Sequence, residues 1–134
     1  MKFYIRILFF PVLIFTLGSF APVTNGCVEY NGYYSCKIDK ENFAIIRFYD
    51  DGTVIASTTN NDPQTILLWF KKEHQDMVLT GKCKFKKCHS SFTLKGDSGS
   101  QQFKVQAAMN AIDVEISDTH SHLAVHRTYL FVSE

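Results

Sequence analysis

Three histidines near the C-terminal end, His120, His122 and His126, follow Asp118 in the pattern Asp-x-His-x-His-x3-His. Imidazoles and a carboxylate suit a zinc ion, and residues two apart in an extended chain face the same way. The competing use is a polar turn whose histidines bond to backbone and water. A second constellation is Cys83, Cys88 and His89. Its Cys-x4-Cys spacing lies at the edge of zinc-binding patterns, and an exported chain favours a disulfide there instead. Lys82, Lys84, Lys86 and Lys87, with Lys71 and Lys72, form a basic patch that could meet a polyanion. Alternating lysines of this kind also serve as the wet face of a strand and discourage edge pairing.

Catalytic patterns are missing. The chain has no Gly-x-Ser-x-Gly elbow, no phosphate loop and no His-Glu-x-x-His. Asp113 and Glu115 fall on the wet face of one strand, which by itself is not an acid–base pair. Arg47 sits in an apolar run beside Ile45 and Tyr49. Such an Arg can hold a ligand carboxylate or pair with a structural Glu or Asp.

Four cysteines, Cys27, Cys36, Cys83 and Cys88, read as two disulfides in a small exported domain. Sequence alone leaves three pairings open. Local closure of turns favours Cys27 with Cys36 and Cys83 with Cys88.

Export is suggested by the first 26 residues. Lys2 and Arg6 precede an apolar run, residues 7–17, and Gly18, Ser19 and Ala21 follow. That is the layout of a secretory signal peptide. Residues 3–20 approach the length of a membrane span, but Pro11 lies inside them and small residues end them. Cleavage before Cys27 would leave residues 27–134, a chain of 134 − 26 = 108 residues that suits one domain. A lipoprotein with Cys27 lipidated is the alternative, although Thr24 and Asn25 match a lipobox poorly. Removing Lys2 and Arg6 from 14 basic residues leaves 12 against 13 acidic ones, a net of −1. That balance argues against a nucleic-acid binder.

The elements that must position these residues follow from periodicity. Asp51-Gly52 between the β-branched and aromatic runs 43–49 and 53–59 predicts a hairpin. Asp62 and Pro63 predict a helix start, with Ile66, Leu67, Trp69 and Phe70 on its apolar side and an end near residue 73. Strands are further expected over residues 30–38, 77–86, 89–95, 103–109, 112–116 and 123–132. Most alternate cleanly, the habit of antiparallel sheets with one buried face. The expectation is an all-β fold: an eight-stranded antiparallel meander barrel with one α-helix between strands 3 and 4.

Two resemblances support a barrel. The run Arg47-Phe48-Tyr49-Asp50-Asp51-Gly52-Thr53-Val54, with Thr58-Thr59 and Asp62-Pro63, resembles the β-rich C-terminal region of certain F-box proteins. It also resembles bacterial secreted domains that share Arg-Phe-aromatic-x-Asp-Gly-x-Val, a Trp-Phe helix and a late Ser-His-Ser-His-like turn, here Trp69-Phe70 and His120-Ser121-His122. The likeness spans roughly residues 30–134 and implies a lipocalin-like (calycin-like) barrel without a particular activity. The chain lacks an F-box, so no ubiquitin-ligase role follows. Gly32-Tyr33-Tyr34 is similar to the Gly-x-Trp of lipocalins, with Tyr34 in the Trp position. That likeness makes Arg127 the cation packed over Tyr34, closing the barrel floor. Lipocalins place their helix near the C-terminus, unlike this chain.

The functional expectation is a secreted, non-enzymatic, monomeric barrel that binds a small apolar or amphipathic ligand and needs no cofactor. Ile45, Arg47, Phe103, Val105, Val114, Ile116 and Tyr129 are the expected lining, with Trp69 and its helix near the mouth. The alternatives are a barrel filled by its own Phe and Tyr side chains, acting as an exported interaction or effector module, and a metal-binding module at the His120/His122/His126 cluster. Membrane contact would come only through the signal or a lipid on Cys27.

Overall fold

The computed structural model describes residues 26–60, 62–74, 78–121 and 123–134. The expected signal segment, except Gly26, lies outside them. The strands are β1 (Gly32–Lys37), β2 (Phe43–Phe48), β3 (Thr53–Thr59), β4 (Leu79–Lys82), β5 (His89–Gly96), β6 (Gly99–Ala108), β7 (Ala111–Asp118) and β8 (Ala124–Ser133), and α1 (Pro63–Trp69) falls between β3 and β4. Every neighbouring pair is antiparallel, and β1 pairs with β8 to close the barrel in sequence order. The meander expectation holds. Closure leaves no long sheet edge to protect.

At the closing seam Tyr34 pairs with Phe131 and Gly32 with Ser133. The two backbones approach so closely that a Cβ on Gly32 would overlap the Val132 carbonyl oxygen. The Asp51-Gly52 hairpin forms as expected. Gly52 adopts φ +89°, its N–H donates to the Tyr49 carbonyl at 3.0 Å, and Tyr49 N donates to Thr53 O at 2.9 Å.

Period-two alternation sorts the side chains into two cores. Inside the barrel lie Tyr34, Ala44, Ile46, Phe48, Val54, Ala56, Phe92, Leu94, Phe103, Val105, Ile112, Val114, Ile116 and Tyr129. The outer wall of β1–β3 carries Tyr33, Ile45 and Ile55, covered by Ile66 and Phe70 of the helical segment and by Val78. This is why β2 is apolar on both faces.

The helix is shorter than expected. It ends at Trp69 instead of near residue 73, and Lys71 N bonds to the Trp69 carbonyl in a tighter turn. That turn is tied to the β2–β3 hairpin. Lys72 N donates to the Tyr49 hydroxyl at 3.0 Å, and Lys72 Nζ lies 3.1 Å from Asp51 Oδ2. The helical segment therefore runs down the outer wall and does not sit over the mouth.

One end of the barrel is sealed by residues 26–31 and by the turns after β2, β4 and β6. Cys27 and Val28 pack into the barrel core. Glu29 N donates to the Tyr34 hydroxyl at 2.9 Å, beneath the Tyr34 ring packed on Phe48 and Phe131. Cys27 is bonded to Cys88, 61 residues away, with Cα atoms 5.1 Å apart. The local pairings Cys27–Cys36 and Cys83–Cys88 are thus incorrect, and Cys36 and Cys83 are free thiols. The reason is topological. Cys36 lies at the far end of β1, opposite Ala44, whereas Cys27 and Cys88 both lie at the sealed end. Cys88 in turn occupies a left-handed position, φ 61°, next to Lys87 at φ 51°. Those two residues form the tight turn closed by Lys86 N to His89 O and His89 N to Lys86 O, at 2.9 and 3.0 Å.

Candidate functional site

The opposite end is open. It is framed by the β1–β2 and β5–β6 turns, the start of β4 and the β7–β8 turn. A cavity of about 450 Å³ enters the barrel there. Its wall includes the apolar Ala44, Ala56, Leu79, Phe103, Ile116 and Tyr129, and about as much polar surface, from Ser57, Thr58, Gln101, Arg127 and the rim residues Asp97, Ser98, Ser100, Asp118 and His120. Side-chain size explains its position. Toward the sealed end the interior is filled by rings: Phe48 packs edge-on against Phe85 and Phe92, and Phe92 stacks on Phe103 at 5.7 Å. Toward the open end β2 and β3 contribute the small side chains Ala44, Ala56 and Thr58, so space remains.

Of the expected lining, Phe103, Val105, Val114, Ile116 and Tyr129 do face the interior. Phe103, Ile116 and Tyr129 reach the cavity wall. Ile45 belongs to the outer cluster and is also among the residues lining the cavity. Arg47 and Trp69 do not line the cavity. Arg47 is on the outer wall, where Nη1 donates to the Phe70 carbonyl at 3.4 Å and Nη2 lies 3.3 Å from Glu134 Oε2. Its guanidinium also lies over the Tyr49 ring at 5.2 Å. The structural-pairing alternative for this residue is the one observed. Trp69 packs beside Phe70 on the same wall.

Arg127 departs from the expected floor position. The residue over Tyr34 is Phe131, with ring centroids 5.2 Å apart. Arg127 is four residues earlier on β8, about 13 Å nearer the open end at the rise of a strand. It lies on the inner face in register with Val114, two residues from the buried Tyr129. Burial raises the Tyr129 pKa above its usual value, and the nearby Arg127 guanidinium opposes that rise. The phenol is therefore protonated at neutral pH and can donate a hydrogen bond. The sequence held the signal for this placement: Tyr129 is an inner-face residue, and period two puts Arg127 on the same face.

The histidines are not brought together. His120 borders the cavity, and its N–H donates to Asp118 Oδ1 at 3.0 Å in the turn after β7. His126 is on the outer face, with Nε2 3.8 Å from Glu115 Oε2. His122 lies outside the described residues. Among the described residues no group of three His, Cys, Asp or Glu side chains is placed to hold a metal. The turn between β7 and β8 breaks the period on which the shared facing depended.

An open polar groove also crosses the outer face of β5–β8. It is bordered by Lys86, His89, Lys104, Asp113, Glu115 and His126. Asp113 and Glu115 are both engaged there, Asp113 Oδ1 accepting from the Thr128 hydroxyl at 2.7 Å. Of the basic patch, Lys72 is paired with Asp51, and Lys82 Nζ donates to the Thr53 hydroxyl at 2.9 Å.

No protein-family model, no curated protein and no solved structure matches the chain. The barrel fold is consistent with the lipocalin-like resemblance. No helix of the described residues is long and apolar enough to cross a membrane. The Cys27–Cys88 disulfide fits an oxidising compartment, and it occupies the sulfur that a lipid anchor on Cys27 would use.

Proposed function

We propose that the chain is an exported, non-enzymatic carrier that binds one small apolar or amphipathic molecule in the open end of its barrel. The observation that carries this reading is the cavity of about 450 Å³, whose apolar side is Ala44, Ala56, Leu79, Phe103 and Ile116 and whose rim is polar. Small-molecule sites are typically clefts of roughly 300–1,000 Å³ with apolar walls and a few polar groups. The floor segment supports the same reading, because Cys27 and Val28 pack into the barrel core at the end opposite the cavity mouth. Export is supported by the N-terminal sequence pattern and by the disulfide.

The test is binding of a neutral apolar fluorophore, 1-aminoanthracene, to the full domain. Saturable one-to-one binding is expected, and Ala56→Phe is expected to abolish it by filling the cavity while the domain still melts cooperatively. Binding that is unaffected by Ala56→Phe would place the probe elsewhere and refute the reading.

The second reading is an interaction module. It is favoured by the ring-filled lower half of the barrel and by the exposed apolar side chains Leu130 and Val132 on the outside of β8.

A further inference from the structure

Arg127 is the cationic side chain that reaches the cavity from the inner face of the barrel wall. Across the sheet it lies level with Val114 and, one strand further, Val105. One step toward the mouth come Phe103, Ile116 and Val125, and one step toward the floor comes Tyr129. A guanidinium stays charged at any physiological pH and is only a donor. Here it takes part in none of the ion pairs formed among the described residues. Of the acidic groups bordering the cavity, Asp97 belongs to the β5–β6 turn and Asp118 is the last residue of β7, where its Oδ1 accepts from His120 N.

Arg127 and the protonated Tyr129 hydroxyl together present hydrogen-bond donors to a wall that is otherwise aliphatic and aromatic at that level. Partly desolvated donors of this kind favour an anionic acceptor, and a carboxylate matches the guanidinium fork with two parallel bonds. Val125 shows where the rest of such a ligand would run. It is in register with the inner-face Ile116, and it is 47% exposed at the mouth.

We propose that the cavity takes a carboxylate-headed amphiphile head first. The carboxylate pairs with Arg127 and accepts a hydrogen bond from Tyr129. The apolar tail passes Ile116 and Ala56 to the mouth and covers Val125. This inference rests on the carrier reading and adds to it the charge and direction of the ligand.

Calorimetric titration of the full domain with dodecanoate and with dodecan-1-ol, both below micelle formation, tests it. The acid is expected to bind about tenfold or more tightly than the alcohol, the size of a charge-assisted contact. Arg127→Gln is expected to erase that preference and to leave the alcohol unchanged, and Arg127→Lys to keep part of it. Equal binding of acid and alcohol by the unaltered protein would overturn the headgroup inference and leave the carrier reading standing. Binding of neither would overturn both. The comparison within the unaltered protein decides even if Arg127→Gln fails to fold.

Discussion

Arg47 Nη2 stands 3.3 Å from Glu134 Oε2 on the outer wall of the barrel, and its Nη1 reaches the carbonyl of Phe70. This contact ties β2 to the end of β8 and to the residue that follows α1. It also separates the two arginines of interest: Arg47 is a clamp outside the barrel, and Arg127 is a charge inside it. Arg47→Ala is expected to destabilise by about 1–3 kcal/mol, through lost packing of its stem and a bereft Phe70 carbonyl. Ligand affinity should be unchanged. Glu134→Gln should cost no more than about 1 kcal/mol, because half of that carboxylate's surroundings are solvent. Urea denaturation and probe binding on the same variants check both statements. Loss of binding in Arg47→Ala with stability intact would return Arg47 to the site.

The Cys27–Cys88 bond closes a loop with a sequence separation of 61 and holds the floor segment in place. Replacing both cysteines by serine should destabilise by about 2–4 kcal/mol and lower Tm by roughly 10–20 °C. Alkylation without reductant should modify Cys36 and Cys83 alone, and peptide mapping should recover Cys27 linked to Cys88. Four blocked cysteines would contradict this pairing.

The two free thiols should differ in reactivity. Burial pushes the Cys83 thiol up to about 11, so at pH 8 only about one molecule in a thousand carries the thiolate. Maleimide labelling at pH 8 should therefore modify Cys36 first. Labelling of Cys83 should accelerate as pH rises toward 11. Faster labelling of Cys83 at neutral pH would show that the sealed end is open.

Much of this architecture was legible from residue patterns. Asp51-Gly52, Asp62-Pro63 and the alternation in β5, β6 and β7 specify a hairpin, a helix start and three half-buried strands by local chemistry. The inner face of β2 was not legible in the same way. The run Phe43-Ala44-Ile45-Ile46-Arg47-Phe48 is apolar on both faces, because one faces the barrel and the other α1. Periodicity cannot rank two buried faces, so Ile45 and Arg47 were expected inside when Ala44, Ile46 and Phe48 are. The cavity itself arises from the smallness of Ala44 and Ala56, which pattern reading treats as weakly apolar positions. The disulfide was hidden for another reason: its partners meet only once the floor segment crosses the end of the closed barrel.

The turn at Lys87-Cys88 is a further case. Both residues adopt left-handed φ without a glycine or asparagine, so nothing in the sequence announced so tight a connection. A left-handed conformation costs a residue with a Cβ about 1–2 kcal/mol. Lys87→Gly should therefore stabilise the domain by about 1 kcal/mol, read as a raised urea midpoint. A lowered midpoint would contradict the turn geometry.

Acid should weaken the hairpin. Hydrogen bonds from Thr53, backbone first, and then from Lys72 hold the Asp51 carboxyl well below the usual carboxylate range. A depressed folded-state pKa means that the contribution is present above the unfolded value, about 4. It is lost progressively as pH falls below that value toward the folded-state pKa. Asp51→Asn should flatten the stability profile below pH 4 and leave its slope near neutral pH unchanged. An identical acid slope in the two proteins would remove Asp51 as the source.

The most direct test of the carrier reading is methyl NMR of the domain titrated with dodecanoate. Saturable shifts are expected at Ala44, Ala56, Leu79 and Ile116, with Ile55 and Ile66 on the outer wall unmoved. Methyl resonances at the mouth that stay fixed through millimolar ligand, or shifts confined to the outer wall, would contradict it.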